Sequence, residues 1–226
     1  ARRENSLSET PSRAIVQPSL THHLCCLFII VFYDRVTHKD ANWITSDIKM
    51  GQQIALVLGG AASGKSRWAE AYTASLASKL IYVATAQAFD SEMENKIAVH
   101  QDVRSDRWTT HEEPFNVAEL ITTLPAKHAV LIDCATMWLS NQLLAEKNLD
   151  DAYDAWISAL PAAASPIVIV SKEVGQGIVP QNALGRQFRD AQGQLNQRLA
   201  AAADLVVMVT AGLPMVLKGQ LAESRL

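Results

Sequence analysis

The sequence predicts an α/β fold, with a mostly parallel central sheet and helices on both of its faces. Three observations carry that expectation. Short aliphatic runs recur along the chain, helical patterns separate them, and the first run ends in Gly59-Gly60-Ala61-Ala62-Ser63-Gly64-Lys65-Ser66. Strands that alternate with helices favour a parallel sheet covered on both sides.

The elements follow in order from Gln52. Ile54-Ala55-Leu56-Val57-Leu58 suits a strand buried on both faces. An Ala-rich stretch from Ser66 to Leu80, with Glu and Lys, reads as a helix, and Leu80-Ile81-Tyr82-Val83-Ala84 as a second strand. The pattern from Ser91 to Arg104 is helical. Further strands are expected at Ala129–Asp133, Ile167–Val170 and Leu205–Val209. Helices are expected at Val117–Leu124, Met137–Ala145, Asp151–Leu160 and Ala183–Ala203. No internal repeat is present, and no linker is long enough to divide 50–226 into two domains.

Composition narrows the function. The chain has 226 residues, 20 basic and 23 acidic side chains, a net charge of −3 and 49% hydrophobic residues. A balance this close to neutral gives no broad basic face, so no nucleic-acid partner is expected. Three cysteines, two of them adjacent (Cys25, Cys26), make no disulfide framework and fit a reducing compartment. Residues 1–49 read differently from the rest: Ser, Thr, Pro and His surround one apolar run, Leu24 to Tyr33. That run is too short for a bilayer, which takes about 20 residues. Arg2 and Arg3 lie far upstream of it, and no small-residue cleavage site follows, so an export signal fits poorly. His22, His23 and His38 match no metal-ligand spacing. The expectation is an extension, poorly ordered or non-native, ahead of a functional domain at 50–226 whose first residue is the first Met of the chain. A targeting or docking segment is the alternative. With no membrane span, a cytoplasmic location is expected, provided 1–49 is no signal.

Gly59–Ser66 satisfies G-x-x-x-x-G-K-[ST], after an expected strand and before an expected helix. In that context the glycines let successive N–H groups turn toward phosphate oxygens, and the helix adds its positive end. Lys65 supplies a cation for the β- and γ-phosphates, and Ser66 a hydroxyl for Mg²⁺. Asp133 closes an aliphatic run, the place of the second carboxylate of such sites; it would hold the metal or a metal-bound water. The alternative is an Asp capping the next helix. Cys134 reads as a small buried hydrophobe rather than a nucleophile. These features predict a P-loop NTPase of RecA-like fold. They do not choose the acceptor. No transporter signature and no Asn-Lys-x-Asp motif occurs, and a domain of this size around one P-loop suits a small-molecule kinase.

Helical spacing puts Glu92, Lys96 and His100 on one face, with Arg104 one turn further. A neutral imidazole there is a possible nucleophile toward phosphorus, and Arg104 a partner for the transferred phosphate. Spacing alone favours a merely solvated histidine. Glu173-Val174-Gly175-Gln176-Gly177-Ile178-Val179-Pro180 reads as a strand end followed by a Gly-rich loop, where α/β sites form. That loop would wrap an acceptor through Glu173, Gly175 and Gly177. Arg186 and Arg189, three apart, would face phosphate from the next helix.

Across 50–218 the sequence resembles the bifunctional adenosylcobinamide kinase / adenosylcobinamide-phosphate guanylyltransferase family of cobalamin biosynthesis. The resemblance rests on Gly59–Arg67, Tyr82-Val83-Ala84-Thr85-Ala86, His100 with Arg104 and Trp108, Asp133 with Thr136–Asn141, and the block from Glu173 to Gln197. It implies two reactions: phosphorylation of adenosylcobinamide by ATP or GTP, then transfer of GMP from GTP through a histidine to adenosylcobinamide phosphate. It implies His100 as the guanylylated residue, with Lys65 and Asp133 catalytic beside it. The implied nucleotide contacts are Gly59, Gly60, Ala61, Ala62, Ser63, Gly64, Lys65, Ser66, Ala84, Thr85, Ala86, Gln101, Asp102, Val103, Arg104, Glu112 and Asp133. Ser66 and Asp133 would hold Mg²⁺. A homo-oligomer, a trimer, is implied as well. Two positions depart from the family pattern: Lys172 stands where Asn is typical, and Gln101 where a basic residue is common. A single-activity P-loop kinase for another hydroxyl substrate, and a nucleotide-sensing module without turnover, are the competing readings. Asp133 and Glu173 are both candidates for the base that takes the acceptor's proton.

Overall fold

The computed structural model describes residues 53–87 and 106–221. Seven strands form one sheet in the order β3-β2-β4-β5-β1-β6-β7. They are β1 (Ile54–Gly59), β2 (Lys79–Ala84), β3 (Trp108–Glu112), β4 (His128–Asp133), β5 (Ile167–Lys172), β6 (Leu205–Thr210) and β7 (Leu213–Lys218). All neighbours pair in parallel except β6 and β7, which are antiparallel. The described helices are α1 (Lys65–Leu76), α2 (Val117–Thr123), α3 (Ala135–Leu144), α4 (Leu149–Ala159) and α5 (Ala183–Ala202).

Side-chain alternation along each strand divides the core in two. Ala55, Val57, Tyr82, Leu131, Val168, Val170, Val207 and Val209 face one way and pack on Trp68, Ala69 and Tyr72 of α1. Leu56, Leu58, Ile81, Val83, Val130, Ile132, Ile167 and Ile169 face the other way. There they meet Trp138 of α3, Tyr153 and Trp156 of α4, and Leu195 and Leu199 of α5. Both faces of the sheet are therefore covered, as the doubly apolar strands require. No helix among the described residues is long and apolar enough to cross a membrane.

Two strands lie outside the sequence-based expectation. Trp108-Thr109-Thr110-His111-Glu112 forms the β3 edge without an aliphatic run, since its side chains stay mostly half-buried or exposed. The last strand, β7, follows a two-residue turn in which Ala211 (φ 52°) and Gly212 (φ 78°) are both left-handed, the geometry of a tight hairpin. One helix is shorter than expected. α1 stops at Leu76 because Ala77 is extended. Arg107 then collects the free carbonyls of the helix end: Nη2 donates to Ala74 O (3.1 Å) and Ala77 O (2.8 Å), and Nε to Ser78 O (3.1 Å). The expected helix over 91–104 lies outside the described residues.

The topology decides where a ligand can bind. β1 and β5 are hydrogen-bonded neighbours, and Gly59 stands opposite Lys172 at their C-terminal ends. The helix after β1 packs on one face of the sheet, and the helix after β5 on the other. Adjacent strands whose following helices take opposite faces are where open α/β sheets form a ligand crevice, above the strand ends.

Candidate active site

The first wall of the crevice is the loop from Gly59 to Ser66. Its hand is set by Ala62 (φ 53°) and Gly64 (φ 89°), both left-handed. Gly59 cannot carry a side chain, because a Cβ there would stand 2.7 Å from the Val209 carbonyl oxygen. Gly60, Ala61, Ala62 and Gly64 are exposed, and Ser63 and Ser66 half-buried. Lys65 starts α1, is only 7% exposed, and donates from Nζ to Gly60 O at 3.0 Å. Burial, and next the Lys172 ammonium, hold Lys65 below the ordinary lysine range; Cys134 and Asp133 act against this. The β6–β7 turn supports the loop from behind, with Gly212 N donating to Ser63 O at 2.8 Å.

Asp133 ends β4 on the same face of the sheet as α1. Its Oδ2 accepts a hydrogen bond from the Tyr82 hydroxyl at 3.1 Å. Cys134, not Asp133, occupies the N-cap position of α3, without a side-chain cap. The Cys134 thiol is buried and pushed up to about 11, by burial first and by Asp133 second, so it is an inert packing group.

Beside it, Thr85 is fully buried. The Thr85 hydroxyl donates to Cys134 O (2.7 Å) and accepts from Cys134 N (2.8 Å), which ties the ends of β2 and β4 together. Ala84 and Ala86 flank it, half-buried, and Glu112 is exposed at the end of β3, in register with Ala84.

The second wall begins where β5 ends. Glu173 N donates to Gly59 O at 3.1 Å, so the two most distinctive sequence blocks touch. Glu173 Oε1 accepts from Gly175 N at 2.9 Å and starts the turn of the loop. Gly175 and Gly177 are exposed, as are Ile178 (96%) and Val179 (58%). Arg186 is engaged with that loop: Nη1 donates to Pro180 O (3.1 Å) and Gln181 O (2.6 Å). Arg189 pairs with Asp190, with Nη2 2.9 Å from Oδ1. In this state, then, neither arginine presents an unengaged guanidinium to a phosphate.

Several supporting residues had no role assigned from the sequence. Asn141 Nδ2 donates to Thr85 O (2.8 Å) and Pro114 O (3.0 Å), fixing the segment after β2. Ser171, Gln192 and Asn196 form a buried cluster, with Ser171 Oγ donating to Asn196 Oδ1 (2.6 Å) and Gln192 Nε2 to Ser171 Oγ (3.0 Å). Asn196 Nδ2 then donates to Lys172 O at 3.1 Å. The visible signal was an amide inside an otherwise apolar helical stripe, which has to find buried partners. His100, Gln101, Asp102, Val103 and Arg104 lie outside the described residues. A cavity of about 420 Å³ lies between α2, α3 and α4, beside Asn116, Trp138 and Lys147, and no P-loop residue lines it.

With the P-loop, the Asp133 strand end and the Gly-rich loop on one crevice, the comparisons with known proteins become specific. Residues 55–217 match the model of the cobinamide kinase / cobinamide phosphate guanyltransferase family. The chain belongs to that family. It is 42% identical over 168 residues to the bifunctional adenosylcobalamin biosynthesis protein CobP of Pseudomonas aeruginosa, covering 73% of this chain and 97% of that protein. With the bifunctional adenosylcobalamin biosynthesis protein CobU of Salmonella typhimurium it shares 41% over 179 residues, 72% of this chain and 98% of the relative. The expected enzyme class, a bifunctional kinase and guanylyltransferase, is that of the family. Among solved structures the chain is similar to the RadB recombinase, with a TM-score of 0.43, 16% identity, and 78% of this chain and 86% of that one covered.

Proposed function

We propose that the chain phosphorylates the aminopropanol hydroxyl of adenosylcobinamide with a nucleoside triphosphate, and then guanylylates the product. In the second reaction a ring nitrogen of His100 attacks the α-phosphorus of GTP. The N–P bond forms as the bond to pyrophosphate breaks. A phosphate oxygen of adenosylcobinamide phosphate next attacks the same phosphorus, the N–P bond breaks, and adenosylcobinamide-GDP leaves. Covalent catalysis of this kind divides one difficult transfer into two displacements. The observation that supports the reading most is the contact of Glu173 N with Gly59 O, which joins the Gly-rich loop to the phosphate cradle.

The residues play distinct parts in this reading. Lys65 and the N–H groups of Gly60–Ser66 neutralise the triphosphate. Mg²⁺ suits the donor set: the Ser66 hydroxyl and the Asp133 carboxylate are two oxygens on adjacent elements. Among the described residues there is no group of three or more His, Cys, Asp or Glu that would cage a metal by itself. An ion that keeps several waters and shares phosphate oxygens fits such a pair. The ion would supply charge neutralisation at the leaving phosphate. The loop from Glu173 to Pro180 would hold the acceptor, and its exposed Ile178 and Val179 suit a large amphipathic molecule. The chain would act in the cytoplasm as a homo-oligomer, a trimer by family likeness.

The test is a guanylylation assay. Incubated with GTP labelled at the α-phosphate, the protein is expected to acquire an acid-labile, alkali-stable label that His100→Ala lacks. A protein that stays unlabelled, while still moving the γ-phosphate to a hydroxyl substrate, would be a single-activity kinase.

A further inference from the structure

We propose that Lys172 is a second phosphate-binding cation of the site, reaching the nucleoside triphosphate from the end of β5 beside Lys65. The inference rests on reading Gly59–Ser66 as a triphosphate cradle and adds a residue to it that the P-loop motif does not contain.

Four observations lead to Lys172. First, it is the last residue of β5 and stands opposite Gly59, the first residue of the cradle. Second, strand alternation puts its side chain on the face shared by Val168 and Val170, which is the face covered by α1 and headed by Lys65. Asp133 follows Leu131 on that same face. Third, its backbone is held from both sides. Lys172 N donates to Thr136 Oγ1 at 2.8 Å, and Lys172 O accepts from Asn196 Nδ2 at 3.1 Å. Thr136 and Asn196 are themselves buried, and Asn196 is fixed by Ser171 and Gln192. Fourth, the half-buried ammonium makes no hydrogen bond or ion pair within the described residues, yet it acts electrostatically on Lys65.

Two ammonium groups beside one cradle repel each other, and one carboxylate, Asp133, offsets only part of that. A lysine with a fixed backbone and no protein acceptor among the described residues, next to a second lysine, is arranged for an anion of high charge. A triphosphate bound on Gly59–Ser66 would supply several negative oxygens beside both. A lysine here binds as a point charge, so it selects for charge number rather than for the base.

The experiment measures dissociation constants of the full chain for β,γ-imido-GTP, GDP and GMP, at low and high salt. The variants are Lys172→Met, Lys172→Arg and Lys65→Met. Lys172→Met is expected to weaken the triphosphate analogue about 10-fold or more, the size of a charge-assisted contact. GDP should weaken less, GMP hardly at all, and the salt dependence of triphosphate binding should become shallower. Lys172→Arg should recover most of the loss. The assignment is overturned if Lys172→Met binds the triphosphate like the parent. It is also overturned if all three nucleotides weaken equally, because a structural role would do that. Lys65→Met separates this proposal from the reading beneath it. If that variant also keeps full triphosphate affinity, the cradle itself has been misread; if only Lys172→Met keeps it, the fault lies with Lys172 alone.

Discussion

A methyl group at position 59 would meet the Val209 carbonyl and the Ser63 side chain together, and backbone cannot rotate away as a side chain can. Gly59→Ala is therefore expected to cost roughly 1–3 kcal/mol in urea unfolding, as overpacked positions do. It should also lose nucleotide binding, measured by titration of the folded variant. At Cys134 the effect of pH has a definite sign. The folded thiol is pushed from 9.0 to about 11, so the fold favours its protonated form. That contribution to stability is present below about pH 9 and fades as pH rises through about 11. The unfolding free energy of the parent should fall more between those pH values than that of Cys134→Ala. Peptide mapping after alkylation at pH 8 should find Cys134 unmodified in the native protein. The places of Lys65, at the start of α1, and of Asp133, at the end of β4, were legible because a motif and an aliphatic run announce them. Thr85 was legible as a position, but its hydroxyl is used up in tying two strands, which no spacing could reveal. Arg186 looked like a phosphate ligand on helix geometry and holds loop carbonyls in this structure.

Elements were read from the sequence where burial is two-sided. Every interior strand of the sheet is an aliphatic run, and each was expected within two residues of its position. The polar edge strand β3 was missed because an edge has no need of that pattern; β7 does carry apolar residues from Leu213 to Leu217, but Pro214 among them reads against a strand. Helix ends were harder still. The end of α1 depends on Arg107, far along the chain, and a distant cap leaves no local trace. The end of β5 depends on α5 in the same way. Asn196→Ala would leave the Lys172 carbonyl and the Ser171 hydroxyl without their buried partner. The expected loss is about 1–3 kcal/mol in chemical denaturation. Activity should fall more steeply than stability, since the strand end also carries Glu173. Asn196→Asp, which keeps the acceptor and drops the donor, should separate the two contributions.

At the scale of the molecule, the family match over 55–217 and the described site both lie downstream of Met50. A chain beginning at Met50 is expected to keep both activities and the same melting temperature, measured side by side with the full chain. A lower melting temperature or a lost activity would give residues 1–49 a role. Chelation of divalent ions is expected to abolish triphosphate consumption by either chain, and restored Mg²⁺ to return it.

The place of β1 in the sheet also bears on how the protein is made. The strand that carries the cradle sits between β5, which starts at Ile167, and β6, which starts at Leu205. A nascent chain therefore exposes its glycine-rich motif long before the strands that flank it have left the ribosome. The hairpin turn at Gly212 that braces Ser63 arrives later still. Pairings this distant in sequence are slow to form. Nucleotide binding thus cannot guide early folding, and it reports instead that synthesis has passed β6. A chain truncated before Leu205 would keep the whole motif and lack the framework that makes it a binding site.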